Sequence, residues 1–400
     1  MHVLIYSDRL SFPNGYAATH YIHLVAKGLI EAGANCYLLI PRGGETTLLL
    51  RNLTGKGEVE GIQFEYATGT PFRPSSFFIR RWLNIKARLI IQFRLLDRFL
   101  RKKLDVIHLY SWSWSELKRI YPICRLLGIP IILHLSEWQP GFSNITKKER
   151  EEYEKFYALA KEKCAGFIVI SRYLESMLRT DLSEYRNNAK IIYLPILIDE
   201  EKWKGIIPLQ GLRPFCLFCA DLINYTADAL FIMEAFEMSS IKSHDLIIIG
   251  RSNSSTISII MDKADKLKIR NQLVLQTEFI EDTKLKSMIK GADALLLPLW
   301  DDDRSRARFP FKLGDYLLSG KPVVACGVGE INTYLEDSVS AYIAKADDSK
   351  YFGMKIKQAI ENQNSSRIGM QGRKIAIENF NYRYQGKRLY DFIDHMIINS

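Results

Sequence analysis

Short, almost unbroken apolar runs recur along this chain, each followed by a longer stretch whose apolar residues fall at helical spacing. That alternation is the strongest constraint on the fold. Runs bounded by helical lengths pair in parallel through crossovers, and a strand covered on both faces reads as continuously apolar. In the first half the runs are His2–Tyr6, Cys36–Ile40, Asp105–Tyr110, Ile129–Leu135 and Gly166–Ser171. In the second half they are Phe215–Ala220, Asp245–Gly250, Leu273–Gln276, Asp293–Pro298 and Pro322–Ala325. Ala17–Ala32 reads as a helix because Ala18, Tyr21, Val25, Leu29 and Ala32 share one face and Gly33 can stop it. Ala227–Met238, Asp315–Ser319 and the final Tyr382–Ile398 read as helices for the same reason. The spacing therefore predicts an α/β chain of two doubly wound domains. The junction is expected near Pro195–Pro214, where Pro, Gly, Lys and Glu replace the periodic pattern.

With 400 residues, 47% of them hydrophobic and 25% charged, the chain can bury two such cores without staples. The six cysteines lie mostly in apolar runs, and Cys216-x-x-Cys219 sits inside a strand with no second pair to complete a zinc site. They are read as packing residues. The opening Met1–Ser7 lacks the basic start and long apolar core of a signal peptide, and no apolar run approaches the roughly 18 residues that span a bilayer. A cytoplasmic protein is expected, with peripheral attachment to the inner face of the membrane as an open extension.

Ligands of open α/β sheets bind beyond the carboxyl ends of the strands, so the loops there carry the functional argument. The richest is Arg306–Tyr316. Pro310 can open a helix, Lys312 and Asp315 then share a face, and Arg308 precedes them by about a turn. Cations at a helix start suit phosphate, and a carboxylate one turn in suits paired sugar hydroxyls. A solvated helix start with a capping charge pattern explains the same residues. In the first strand–helix loop, Pro13-Asn14-Gly15 demands a turn, and Gly15 would let a ligand approach the backbone. No G-x-G-x-x-G or P-loop is present, which argues against a nicotinamide dehydrogenase or a P-loop ATPase.

These residues together resemble a glycosyltransferase of family 4, a group 1 glycosyltransferase. The resembling segments are Asn14-Gly15-Tyr16, the strand Asp105–Leu109, Ala165–Ser171, Leu194–Asp199 and, most specifically, Lys312-Leu-Gly-Asp-Tyr-Leu-Leu-Ser-Gly-Lys-Pro-Val-Val324. The resemblance implies a GT-B fold, with two facing Rossmann-like domains, parallel sheets and an inter-domain cleft. Residues 1–200 would form the acceptor-side domain, 201–380 the nucleotide-sugar domain, and 381–400 a C-terminal helix packing back on the first. The implied reaction moves a sugar from a nucleotide-diphosphate sugar to a lipid-linked or polysaccharide acceptor with retention, without cofactor or metal. The donor phosphate itself can take the acceptor's proton in such sites. Donor-binding residues would be Gly15, Arg251, Arg308, Lys312 and Asp315.

Two departures stand out. The family commonly has two glutamates eight apart, where this chain has Ala307 and Asp315. The family's Arg and Lys early in the second domain are missing from Asp221–Asp228, which leaves Arg251 and Arg308 as substitutes. A nucleotide-sugar epimerase and a non-catalytic scaffold subunit on the same fold stay open as alternatives.

The loop after Ile129–Leu135 supplies the catalytic candidates Glu137 and His134, and Trp138 and Trp112 are candidates for the acceptor side. A histidine placed like His134 is more often a core strand residue, and packing is the commoner use of at least one of Trp112 and Trp114. Asp301-Asp302-Asp303 is read as a solvated loop beside the donor site rather than a metal site. The first 200 residues hold 28 Lys and Arg against 20 Asp and Glu, so +8 of the net +10 lies there. From Arg73 to Lys103 there are ten basic residues and one acid, Asp97, interleaved with aromatic and aliphatic residues at helical spacing. An anionic membrane surface and a plain charged outer face both fit this helix. Nucleic acid is not expected, because no recognised module accompanies the charge.

Overall fold

The structure, a computed structural model, describes all residues except 9, 47–50, 142–144, 186–187 and 399–400. The elements of the first half are β1 (His2–Tyr6), α1 (Ala17–Glu31), β2 (Asn35–Ile40), β3 (Lys56–Val59), β4 (Ile62–Tyr66), α2 (Phe77–Leu100), β5 (Val106–Leu109), α3 (Trp114–Leu127), β6 (Ile131–Leu135), α4 (Lys147–Lys163), β7 (Gly166–Val169), α5 (Arg172–Glu184) and β8 (Lys190–Tyr193). The second half runs β9 (Phe215–Cys219), α6 (Thr226–Met238), β10 (Asp245–Ile249), α7 (Ser254–Lys266), β11 (Leu273–Gln276), α8 (Asp282–Gly291), β12 (Ala294–Leu297), α9 (Asp303–Ala307), α10 (Phe311–Leu318), β13 (Val323–Cys326), α11 (Glu330–Tyr334), β14 (Tyr342–Ala344), α12 (Ser349–Glu361), α13 (Ser365–Phe380) and α14 (Tyr382–Ile398).

Two compact units result: 1–197 with 382–400, and 198–381. The first holds an eight-stranded sheet in the order β3-β4-β2-β1-β5-β6-β7-β8, parallel except for the β3–β4 hairpin. The second holds a six-stranded parallel sheet in the order β11-β10-β9-β12-β13-β14. Every residue of β5, β6, β7, β9, β12 and β13 is buried, which is why those segments read as unbroken apolar runs.

Each strand order reverses once, between β1 and β5 in the first unit and between β9 and β12 in the second. Such reversals open a crevice at the carboxyl ends of the strands, because the crossovers on either side leave in opposite directions.

Three details go beyond the sequence reading. The edge strand β3 is largely exposed, and its hairpin turns at Glu60 and Gly61, both with positive φ. A short polar edge strand leaves no apolar run to read. The helix expected over Asp315–Ser319 begins at Phe311, one residue beyond Pro310, whose ψ of 115° makes it the cap rather than the first helical residue. The six cysteines are free and buried, and burial pushes the Cys36 and Cys124 thiols up to about 12 and that of Cys219 up to about 11.

In the first unit, α14 crosses α1 at Gly28 and Gly386. A Cβ on Gly386 would lie 2.4 Å from the backbone of Gly28, so the two glycines let the helix backbones touch. Tyr382 and Arg383 then hold Glu31, the latter at 2.8 Å.

Candidate functional site

The second unit places its charged cluster across the strand reversal between β9 and β12. After β9, Asn224 and Tyr225 turn back on Asp221, and Asp228 lies buried in the first turn of α6. After β12, Asp302 caps the short α9 by accepting from the Ser305 N–H at 2.7 Å, and Arg308 leaves that helix in an extended conformation. Pro310 then starts α10, which no side chain caps. Tyr316, on the buried side of α10, accepts a hydrogen bond from the Cys219 N–H at 2.9 Å and so fixes α10 over the end of β9.

Around this frame the polar side chains converge. The Trp300 indole N–H donates to Asp228 Oδ1 at 2.7 Å, and Arg308 Nη2 stands 4.0 Å from Asp228 Oδ2. The guanidinium groups of Arg304 and Arg308 lie 4.8 and 5.0 Å from the centroid of the Tyr225 ring. The Arg308 side chain is 13% exposed, and its Nε finds no hydrogen-bond partner among the described residues. A buried guanidinium N–H left in this state is an unfilled donor. Burial raises the Asp228 carboxyl above its ordinary value, against the pull of Trp300, Arg308 and Arg304.

Lys312 Nζ donates to Asp315 Oδ2 at 3.1 Å, with the two side chains 33% and 39% exposed. Burial works against the Lys312 charge, but Asp315 and Cys219 outweigh it and the ammonium pKa is raised. Arg251, just beyond β10, forks onto Asp221 at 2.7 and 3.4 Å. So the segment 221–228, which has no cation of its own, receives Arg251 at one end and Arg308 at the other. Ala307, where the family commonly has its first glutamate, is buried in α9. Asp301 and Asp303 both pair with Arg306, at 2.7 and 3.2 Å. Beyond β13, Gly329 takes a positive φ and leads into the buried Glu330.

The first unit carries the other candidates, on loops beyond β1, β5 and β6. Gly15 sits in a crowded turn: a Cβ there would meet Thr19 Oγ1 at 2.1 Å and the Ser11 carbonyl at 2.4 Å. The turn's own packing thus requires glycine. Tyr66 clamps the same loop by exchanging hydrogen bonds with the Phe12 backbone, and the buried Asn52 bridges Ser11, Asn14 and Glu45.

Glu137 is half-buried in the loop after β6, and Trp112 is half-buried in the loop after β5. Trp138 packs edge-on against Tyr153 and Tyr157 of α4, with ring centroids 5.4 and 5.5 Å away.

His134 departs from the catalytic expectation. It is fully buried within β6, with Nδ1 2.9 Å from His108 Nε2 and Nε2 3.3 Å from the Tyr21 hydroxyl. Tyr21 also reaches the Leu194 carbonyl at 3.3 Å. If the tyrosine donates there, His134 donates to Tyr21 and His108 donates to His134, which leaves His108 Nδ1 as a bare acceptor. Burial holds His108 down to about 3 and His134 well below the ordinary histidine value, so both rings are neutral. His134 is therefore a link in a core network rather than a group open to substrate.

Sequence reasoning missed Asp228, Tyr225, Trp300 and Arg304. Their spacing carries no motif, because they meet only through the β9–β12 pairing.

Comparison with known proteins bears on what this cluster serves. Residues 213–362 match the family model "Glycosyl transferases group 1". A sequence search of curated proteins finds no match. Among solved structures, sucrose-phosphate synthase from Thermosynechococcus elongatus aligns over 100% of this chain and 99% of its own, with a TM-score of 0.73 at 13% identity. HepE of Anabaena, in complex with UDP and glucose, aligns over 99% and 100% with a TM-score of 0.69 at 15% identity. A glycosyltransferase from Rickettsia africae aligns over 100% and 99% with a TM-score of 0.68 at 14% identity. Likeness at that identity speaks for the fold, and the family signature lies in the second unit. Together they show the group 1 glycosyl transferase signature over residues 213–362 and the GT-B fold over the whole chain.

Proposed function

We propose that the chain transfers a sugar, with retention, from a uridine diphosphate sugar to a lipid-linked or polysaccharide acceptor, as a family 4 enzyme. The observation that carries the donor assignment is the Arg308 guanidinium, held on the Tyr225 ring with its Nε unfilled and followed by Lys312 in the uncapped first turn of α10. A diphosphate supplies the oxygens this donor set lacks. Uridine is favoured because HepE, which shares the fold, was solved with UDP and with UDP-glucose.

In this reading Arg308 and Lys312 bind the diphosphate and stabilise the charge that grows on it as the bond from the anomeric carbon to the phosphate oxygen breaks. The acceptor oxygen forms the new bond on the same face, and its proton passes to the departing phosphate oxygen. Asp315 exchanges its hydrogen bond with Lys312 for ribose hydroxyls. Arg251 sets the edge of the site through Asp221. Glu137 orients an acceptor hydroxyl and Trp112 and Trp138 offer stacking surfaces for sugar rings, whereas Gly15 serves the packing of its own turn. No side chain need act as nucleophile, and neither a cofactor nor a metal is called for.

A thermal-shift panel of UDP, GDP, ADP and their sugars tests the donor assignment, since a ligand that binds the native state raises the melting temperature. UDP should stabilise the wild type and shift Lys312→Ala much less at the same concentration. If no nucleotide shifts the wild type, the donor site is wrong. Isomerised free sugar instead of a glycosylated acceptor would assign an epimerase.

A further inference from the structure

The longest helix, α2, turns the wrong face to solvent for a helix of an isolated globule. Its packed side is narrow: only Ala87, Ile91 and Leu95 are buried. Phe78, Trp82, Ile85, Leu89, Phe93 and Leu100 are all exposed, Phe78 to 80% and Leu100 to 70%. At about 100° per residue these six fall within about 80° of arc, centred about 160° from the buried three. The helix thus carries two apolar stripes on opposite sides, one for the sheet and one for something else. From Phe78 to Leu100 the outer stripe is about 33 Å long.

The cations sort with these stripes. Arg94 and Arg98, which sequence spacing groups with the rest, belong to the fold: Arg94 forks onto Glu65 at 2.8 and 3.0 Å, and Arg98 lies 3.3 Å from the Tyr37 ring centroid. Arg81 and Arg88 border the outer stripe on one side and Lys86 on the other. All three are exposed and have no acidic partner among the described residues. Lys86 Nζ stands 5.5 Å from the Trp82 ring. The segment's single acid, Asp97, is already paired with Arg101 at 2.7 Å.

We infer that α2 lies flat in the interface of an anionic lipid membrane, sinking the outer stripe among the acyl chains while Arg81, Lys86 and Arg88 meet the headgroups. Charge complementarity selects this occupant over a second copy of the chain, which would set Arg81, Lys86 and Arg88 against their own equivalents. Among the described residues no helix is long and apolar enough to cross a membrane, so α2 lies on the surface rather than through it. The inference deepens the proposed reading by naming the surface at which a lipid-linked acceptor is met, but its physics does not depend on donor chemistry.

Flotation of the full chain with vesicles of phosphatidylcholine, with and without phosphatidylglycerol, tests it. The wild type should bind the anionic vesicles strongly and the neutral ones weakly. Arg81→Gln, Lys86→Gln and Arg88→Gln together should lower anionic binding on the order of a hundredfold. Leu89→Glu with Phe93→Glu should abolish it. Neutralising the exposed Lys147, Lys148 and Lys155 of α4 should leave it unchanged.

These are all surface positions, so the melting temperature and the UDP-induced shift should stay at wild-type values, and those readings report on the donor site separately. Four results would each overturn the inference: no binding by the wild type, α2 variants that bind like wild type, an equal loss in the α4 control, or a wild-type dimer that the stripe variant dissociates.

Discussion

Lys312 and Asp315 hold each other at 3.1 Å, and that pairing yields a test with opposite signs for two ligands. Both side chains are about a third exposed, so solvent screens their contact and the pair itself contributes at most about 1 kcal/mol. Breaking it for a ligand is therefore cheap. A hydrogen bond from the ammonium to a phosphate oxygen is charge-assisted and contributes roughly 1.5–3 kcal/mol, as does one from ribose hydroxyls to the carboxylate. Replacing Lys312 by Ala removes the phosphate contact and should weaken both UDP and inorganic pyrophosphate by about tenfold to a hundredfold. Replacing Asp315 by Asn acts differently. It should weaken UDP by about tenfold through the ribose, while pyrophosphate binding holds or tightens, because the ammonium no longer has a competing carboxylate. Isothermal titration of both ligands into the wild type and the two variants reads this directly. Equal losses for both ligands in Asp315→Asn would place the carboxylate outside the ribose site. An unchanged Lys312→Ala would remove the lysine from the phosphate site.

Two further outcomes concern the framework. Gly386→Ala puts a methyl 2.4 Å from the Gly28 backbone, which cannot swing away as a side chain could. The overpacking should outweigh the gain in helix propensity and leave a net loss of about 1–2 kcal/mol, or ~2–8 °C in melting temperature by calorimetry. A melting temperature equal to or above wild type would mean that α1 and α14 do not cross at these glycines.

Asp228→Asn keeps an acceptor for the Trp300 N–H and removes a carboxyl whose folded pKa is raised above the ordinary 3.8. An acid raised in this way favours the folded state at low pH and loses that contribution as pH rises from its unfolded toward its folded value. Denaturation of both proteins across this window should show wild-type stability falling relative to Asn by up to about 1.4 kcal/mol per pH unit. A difference that stays level with pH would count against a carboxyl whose charge burial disfavours.

Much of this architecture is written locally. A parallel strand buried on both faces must be apolar throughout, so β9, β10 and β12 show in the sequence almost to the residue. Tyr382–Ile398 shows as a helix because its apolar face repeats at 3.6 residues. Lys312 and Asp315 could be paired from spacing alone, being one turn apart on one helix. The hairpin strand β3 and the short β14 carry no such signal, since an exposed edge or a three-residue strand needs no apolar run.

What the sequence by itself determined was therefore the α/β rhythm, the charge excess in the first half and the loop in which phosphate-binding cations would stand. Only the tertiary structure decided which side chains meet. It set Arg308 over Tyr225 beside Asp228, residues some eighty positions apart, because β12 pairs with β9. It buried His134 behind His108 and Tyr21, although a histidine at a strand end also offers itself as a catalyst. It also spent Arg94 and Arg98 on the sheet while leaving the opposite stripe of α2 bare. Helical periodicity identifies the faces of a helix, but which face the fold covers depends on what long-range pairing brings against it.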